Sequence, residues 1–548
     1  MLSRDDAIRA LEGEPFDVLV IGGGITGAGV ALDAATRGYS VALVERGDFA
    51  IGTSSRSSKL VHGGLRYLQN FDLGLVREAL LERQINVALA PHLVRPLPLI
   101  VPAFDGARPD RLTGLGLNMY DVMAVDRISP LARRRDRNQD GAEDWSPARH
   151  RVISGEEVAE LLPALAGRSP SGGYLFYDCQ TDDVRLVLTV LAEAERFGAV
   201  AVNGVEALGL LEEGGHAVGA RVREAETGAE LEVRAANVVN ATGVWADRLR
   251  PGELHDEAEV PVIRPSRGTH IVVPGERLPV VAGAIAPAGG GRTIFVLPWL
   301  GQTLIGTTDN DYEGDLQHVQ PSLDDVHYLL DATNAFFAGD LGPDDVAGAY
   351  AGVRPLISTG DPKKSVDISR KAELYETSSG MVTITGGKLT TWRRMAKMTV
   401  DRIVEREGRD APCRTDKVPL GMAVDPGDLP RVPGVAEEAY EQLAGRYGYG
   451  AHEVLRIAGE RAALAEPVVA GRVDLLAEAA YAARREQART VGDVLLRRTR
   501  LGLTAGRDVC ADGAAAARRV AAAMAAELGW DDDRSGRSPA IRSTSCAA

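Results

Sequence analysis

Three glycines and one carboxylate near the start of the chain carry its most legible chemistry. Gly22-Gly23-Gly24-Ile25-Thr26-Gly27 has the spacing Gly-x-Gly-x-x-Gly. The first glycine permits a tight turn, the second lets backbone approach a pyrophosphate, and the third lets a helix pack closely on a strand. The N–H groups that open such a helix, with its dipole behind them, hold phosphate oxygens. Glu45 follows 23 residues after Gly22. There a carboxylate accepts hydrogen bonds from ribose hydroxyls and repels a 2′-phosphate.

These residues need elements to position them, and the surrounding pattern provides them. Residues 16–21 form an apolar run interrupted only by Asp17, expected for a strand buried on both faces. A helix-compatible stretch runs to residue 37 and includes the small Ala31, and a second buried strand over 40–44 ends at Glu45. The unit is thus strand, turn, helix, strand. Far downstream, an apolar run at 237–240 enters Ala241-Thr242-Gly243. An initial dinucleotide unit with a late returning strand is typical of two-dinucleotide-fold flavoproteins, in which FAD lies under the returning strand. Thr242 and Gly243 are therefore further cofactor candidates.

Elsewhere, the patterns predict ordered loop and short helix over 53–70, helix over 73–90, and a Pro-interrupted, edge-like segment over 91–104. A charged stretch over 133–144 reads as a surface loop, and amphipathic spacing over 183–197, with Asp182 and Asp183 at its start, predicts a helix. Strands dominate 261–352, with one helix near 324–337. A last strand over 381–385 meets Gly386-Gly387-Lys388, followed by helix over 390–407, where Thr390 and Thr391 are candidate caps.

The fold expectation is α/β. A discontinuous FAD domain takes residues 1–90, 150–265 and 350–410. An antiparallel-sheet substrate domain takes 91–149 and 266–349, an all-α domain 415–533, and a disordered tail 534–548.

Bulk composition narrows the function. The 548 residues are 45% hydrophobic and 25% charged, with a formal net charge of −15. That balance argues against nucleic-acid binding, so an anionic substrate must be caught by local Arg and Lys. Cys179, Cys413, Cys510 and Cys546 form no C-x-x-C pair. This argues against a disulfide framework, a zinc site or an iron–sulfur cluster and suits a reducing cytosol; no metal is expected. There is no signal-peptide pattern and no apolar run of membrane-spanning length. Any membrane contact is expected from the surface.

Several segments together resemble the FAD-dependent glycerol-3-phosphate dehydrogenase family, within the D-amino-acid-oxidase-like flavoproteins. They are the 21–29 glycine segment, Thr53-Ser54-Ser55-Arg56-Ser57-Ser58-Lys59-Leu60-Val61-His62-Gly63-Gly64-Leu65-Arg66-Tyr67-Leu68, Ile305-Gly306-Thr307-Thr308-Asp309, Gly352-Val353-Arg354-Pro355-Leu356, and Gly386-Gly387-Lys388-Leu389-Thr390-Thr391. Asp493-Val494-Leu495-Leu496-Arg497-Arg498-Thr499-Arg500 is similar to the family's helical cap.

The resemblance implies oxidation of sn-glycerol 3-phosphate to dihydroxyacetone phosphate by an enzyme carrying FAD, with electrons passing to a quinone. It implies a cytoplasmic protein lying peripherally on the inner face of the cell membrane, often a homodimer. By motif match, the Ser-Ser-Lys-Leu-x-His-Gly-Gly-Leu-Arg-Tyr segment lies beside the flavin. His62, Arg66, Tyr67, Arg354, Arg370 and Lys388 form the expected catalytic set. The expected cofactor contacts are Gly22, Gly24, Ile25, Thr26, Gly27, Glu45, Arg46, Thr53, Ser54, Ser55, Ser57, Lys59, Leu60, His62, Val205, Thr242, Gly243, Gly387, Lys388, Leu389 and Thr390. Arg370 is followed by Lys371 where the family has an acid.

The implied chemistry suits these residue types. A phosphate dianion taken from water needs charged partners, and arginine offers a fork that binds two oxygens at once. A histidine titrating near neutrality suits removal of the C2 hydroxyl proton, and Gly63-Gly64 leaves room beside His62. Lys388 suits negative charge on a reduced flavin or a substrate oxygen. Asp309 reads equally well as a turn residue and stands outside the set.

Two rivals share the superfamily. A glycerol-3-phosphate oxidase passes electrons to O2 and carries a mid-chain insertion with no obvious counterpart here. An amine or amino-acid oxidase calls for a carboxylate anchor, against which the Ser-Lys-Leu-x-His and Gly-Gly-Lys-Leu-Thr segments speak.

Overall fold

A computed structural model of the protein describes residues 3–64, 72–106, 109–124, 149–249, 262–358 and 372–531. Arg66, Tyr67, Arg370, the 133–144 loop and the 534–548 tail lie outside them.

The expected first unit forms as strand Phe16–Ile21, helix Ile25–Thr36 and strand Val41–Glu45. Phe16–Ile21 pairs in parallel with Val41–Glu45 on one side and with Glu230–Asn240 on the other. The parallel set extends to Val200–Asn203 and Val382–Gly386, and Ala372–Glu376 adds an antiparallel edge. A run as apolar as Val18-Leu19-Val20-Ile21 is stable here because both faces of the sheet are covered. Ile25–Thr36 packs on one face with Asp183–Arg196 and Trp392–Glu407. The helix Arg4–Leu11 and an antiparallel meander (Val205–Glu213, His216–Glu224) cover the other.

A second sheet is built around Val262–Pro274, which pairs antiparallel with Gly348–Ser358 and Gln302–Gly306. Leu60–Val61, Gly172–Gln180 and Gly348–Ser358 pair within this sheet, although the first two and all but the first two residues of the third fall in stretches expected for the FAD domain. Leu60–Val61 and Gly172–Gln180 are buried almost throughout, so their residue pattern does not say which of the two sheets receives them.

Arg95–Ala103 departs from its edge-like reading. It pairs along its length with Gly172–Gln180, and on its other side Leu99 and Ile100 pair with Gly283 and Ala284. Pro96, Pro98 and Pro102 occupy alternate positions, so their missing N–H groups all fall on one side and the opposite ladder stays intact.

Helices Glu437–Tyr447, Ala451–Ala458, Leu476–Arg485 and Gly506–Leu528 share a separate core in the C-terminal region. Among the described residues Cys179 and Cys413 are free thiols and Cys510 is disulfide-bonded.

Candidate active site

A cavity of about 470 Å³ opens at the carboxyl ends of Phe16–Ile21, Val41–Glu45, Glu230–Asn240 and Val382–Gly386 and reaches across to the second sheet. Ligands of open parallel sheets bind at such strand ends.

One end of the cavity is the glycine turn. A Cβ on Gly22, whose φ is +116°, would lie 2.6 Å from the Ala241 carbonyl oxygen, and one on Gly27 would lie 1.9 Å from that of Gly22. Only glycine lets the turn, the returning strand and the helix come this close. The Ile25 N–H, at the helix start, donates to Ser54 Oγ over 2.9 Å. Glu45 accepts from the N–H of Gly23 (2.7 Å) and of Gly47 (2.8 Å). Burial pushes its carboxyl up, and those two N–H groups work against the rise. An N–H cradle beside a carboxylate at the strand end is the donor and acceptor set that a dinucleotide such as FAD requires.

The other end holds the basic and catalytic candidates. His62, Arg354 and Lys388 all line the cavity. The His62 N–H donates to Thr390 Oγ1 over 3.0 Å, and that hydroxyl donates back to the His62 carbonyl over 3.2 Å. Thr390 thus braces the histidine backbone, and neither Thr390 nor Thr391 caps the following helix with its side chain. The His62 ring meets Phe295 edge-on, 6.3 Å between centroids. Arg354 donates to Thr307 Oγ1 (3.1 Å) and to Asp309 Oδ1 (3.3 Å), and Ser266 also donates to that Asp309 oxygen. Asp309, set aside in the sequence, therefore orients the guanidinium.

Of the expected cofactor contacts, Gly22, Gly24, Ile25, Thr26, Glu45, Arg46, Thr53, Ser54, Ser57, Leu60, His62, Val205, Thr242, Gly243, Gly387, Lys388, Leu389 and Thr390 line the cavity. Gly27, Ser55 and Lys59 do not. Gly27 sits beneath the turn, and Ser55 faces its own loop with Oγ toward the Gly52 carbonyl. Lys59 is fully buried, donating to the Ser55 carbonyl and to Asp183 Oδ2, both at 2.7 Å. Burial lowers its ammonium to about 8 despite the opposing charge of Asp183.

The lining residues that escaped the sequence reading include Arg56, Trp245, Arg248 and His270. His270 Nε2 lies 2.8 Å from Ser58 Oγ, and its ring stacks on Tyr350 at 4.9 Å. Burial, aided by the charges of Lys59 and Arg354, holds this imidazole well below its usual range, so it is neutral at physiological pH. Its one sequence cue is a polar residue opening the apolar run Ile271-Val272-Val273.

Comparison with known proteins agrees with the geometry. Residues 17–402 match the family model for FAD dependent oxidoreductases, and residues 382–535 match that for the C-terminal domain of alpha-glycerophosphate oxidase. Glycerol-3-phosphate dehydrogenase 2 of Mycobacterium tuberculosis is 38% identical over 533 residues, covering 96% of this chain and 87% of that protein. The aerobic glycerol-3-phosphate dehydrogenase of Bacillus subtilis is 35% identical over 520 residues, covering 91% and 89%. The crystal structure of the glycerol-3-phosphate dehydrogenase from Bacillus halodurans complexed with FAD superposes with a TM-score of 0.75 at 29% identity, covering 98% of this chain and 95% of that one. A cradle suited to FAD, a fold matched along nearly its whole length and relatives of this identity place the chain in the FAD-dependent oxidoreductases, as a member of the glycerol-3-phosphate dehydrogenase family.

Proposed function

We propose that the protein oxidises sn-glycerol 3-phosphate to dihydroxyacetone phosphate. The observation that carries this reading is a single cavity joining a dinucleotide cradle at Gly22–Ile25 to a wall with His62, Arg354 and Lys388. When bound, FAD supplies the two-electron acceptor for the C2 hydride. The close backbone approach at Gly22 and Gly24 and the start of helix Ile25–Thr36 would hold its pyrophosphate, and Glu45 would take its ribose.

Arg354, aimed by Thr307 and Asp309, binds the substrate phosphate as a charged fork. Arg66, Tyr67 and Arg370 join it by motif match. His62 takes the C2 hydroxyl proton, its backbone fixed by Thr390. Lys388 supplies positive charge on the same wall. The apolar ring of Phe295 beside His62 keeps water from the reacting carbon.

The reading extends to a quinone as electron acceptor, to the inner face of the cell membrane and to a homodimer. Among the described residues no helix is long and apolar enough to cross a membrane, which is compatible with surface attachment. Pelleting of the full chain with anionic but not neutral vesicles tests the attachment, and light scattering tests the dimer.

The central experiment is an anaerobic absorbance spectrum before and after substrate. Glycerol 3-phosphate is expected to bleach the oxidised flavin bands, and glycerol is not. Re-oxidation by a quinone and not by air marks a dehydrogenase. A flavin spectrum untouched by glycerol 3-phosphate would refute the substrate assignment.

A further inference from the structure

Arg56 lines the same cavity but has been given no task. It follows the short turn Thr53–Ser55. Among the described residues its guanidinium makes one hydrogen bond, a long donation of 3.4 Å from Nη1 to the Ala351 carbonyl, and no ion pair. Its neighbours in the cavity differ. Arg354 is bridged to Asp309, and Arg46 lies over the Trp245 ring at 5.1 Å. Burial, reinforced by the like charge of Arg497, lowers the Arg56 guanidinium to about 10, so it remains a cation at neutral pH.

A guanidinium carries five N–H donors and no acceptor. A partly buried one with a single long bond and no counter-charge is costly unless an anion completes it. Position says which anion. Two residues before Arg56, Ser54 accepts the Ile25 N–H of the cradle. Facing it, Gly352 comes so close that a Cβ there would lie 2.7 Å from Arg56 Cβ. Gly352 is two residues from Arg354 on the same strand. Arg56 therefore stands at the seam between the cofactor cradle and the substrate wall, where both ligands of the proposed reaction bring phosphoryl oxygens.

We propose that Arg56 is a phosphoryl-binding residue of this cavity, its fork completing the hold on the substrate phosphate or on the cofactor pyrophosphate. The proposal rests on the functional reading above, and two independent titrations separate its failure from the failure of that reading. The first adds dihydroxyacetone phosphate to the oxidised holoenzyme, with dihydroxyacetone as the phosphate-free control, and follows the perturbed flavin spectrum. The second adds FAD to the apoprotein and follows fluorescence quenching.

Arg56→Gln is expected to weaken one of these affinities about 10- to 100-fold, the loss of a charge-assisted pair, with Arg56→Lys recovering part of it. Weaker dihydroxyacetone phosphate with unchanged FAD assigns the substrate phosphate, and the reverse assigns the pyrophosphate. Both constants within twofold of wild type in a folded Arg56→Gln protein would overturn the proposal. Arg56→Met, which keeps the apolar stem, is judged by the same criterion if the Gln variant does not fold. If the wild-type holoenzyme binds no dihydroxyacetone phosphate, the substrate reading fails and the FAD titration still decides whether Arg56 binds phosphoryl oxygens.

Discussion

Thr390 lies 328 positions from His62 in sequence, yet its hydroxyl both accepts the histidine N–H and donates to its carbonyl. Thr390→Val keeps the shape and removes both bonds, leaving a buried N–H without its acceptor, a loss of about 1–3 kcal/mol. If His62 acts as proposed, kcat is expected to fall several-fold while FAD content stays near wild type. An unchanged kcat would detach the threonine from the chemistry. The sequence offered Thr390 as a helix cap or a cofactor contact but not as the partner of His62, because capping is a local pattern and this contact is not. Glu45 and the glycines were legible for the opposite reason, since their roles depend on neighbours within one strand–turn–helix–strand unit. Asp309 and His270 became interpretable only when the second sheet brought them to Arg354 and Ser58.

The helix Ile25–Thr36 is buried along almost its whole length, and its register on the sheet is set where Gly27 crosses the Gly22 carbonyl. Gly27→Ala would place a methyl 1.9 Å from that oxygen. Relief requires moving the helix start, to which the proposed reading assigns the pyrophosphate. The expected cost is about 1–3 kcal/mol of stability, with FAD affinity reduced at least tenfold in an apoprotein titration. Retained affinity would show that the cradle tolerates the shift. At this scale periodicity was a good guide: the helices Leu73–Leu89, Asp183–Arg196 and Leu323–Phe337 form where their apolar spacing puts them. Sheet membership was not legible for every strand, because a buried strand reads the same in either sheet, as Leu60–Val61 and Gly172–Gln180 demonstrate.

Across the whole molecule, the C-terminal region grips the cofactor domain through buried charge. Arg498 binds both oxygens of Asp48, at 2.7 and 2.9 Å, and Arg497 reaches the same carboxylate. Arg500 meets Asp182 at 2.7 Å and also Asp183, which accepts from Ser57 and from Lys59. Burial alone would raise the Asp48 carboxyl, but the two arginines overcome it and hold it at about 2. A depressed carboxyl contributes stability that is present above its unfolded value, near 3.9, and lost as pH falls through its folded value. Stability is therefore expected to drop between about pH 4 and pH 2, and Asp48→Asn should flatten that limb. At pH 7 the same variant should cost about 3–5 kcal/mol, the penalty of stranding buried arginines. Thermal melts across pH check both, and an unchanged acid limb would remove Asp48 from the account. The motif at 493–500 flagged this segment, but its partners at 48, 182 and 183 were invisible until the chain folded.

The pairing of Phe16 with Ala235 also sets a timetable for biosynthesis. The strand Phe16–Ile21 leaves the ribosome early, but its neighbour Glu230–Asn240 is made only after more than two hundred further residues. At 5–20 residues per second that delay is roughly 10–45 s. Through that interval the largely apolar strand Phe16–Ile21 has only Val41–Glu45 and Val200–Asn203 to extend its sheet. The nascent chain thus carries a long-lived sticky edge, and the cavity lacks its wall at Gly386, Gly387, Lys388, Leu389 and Thr390 until later still, so FAD capture must follow translation of most of the protein.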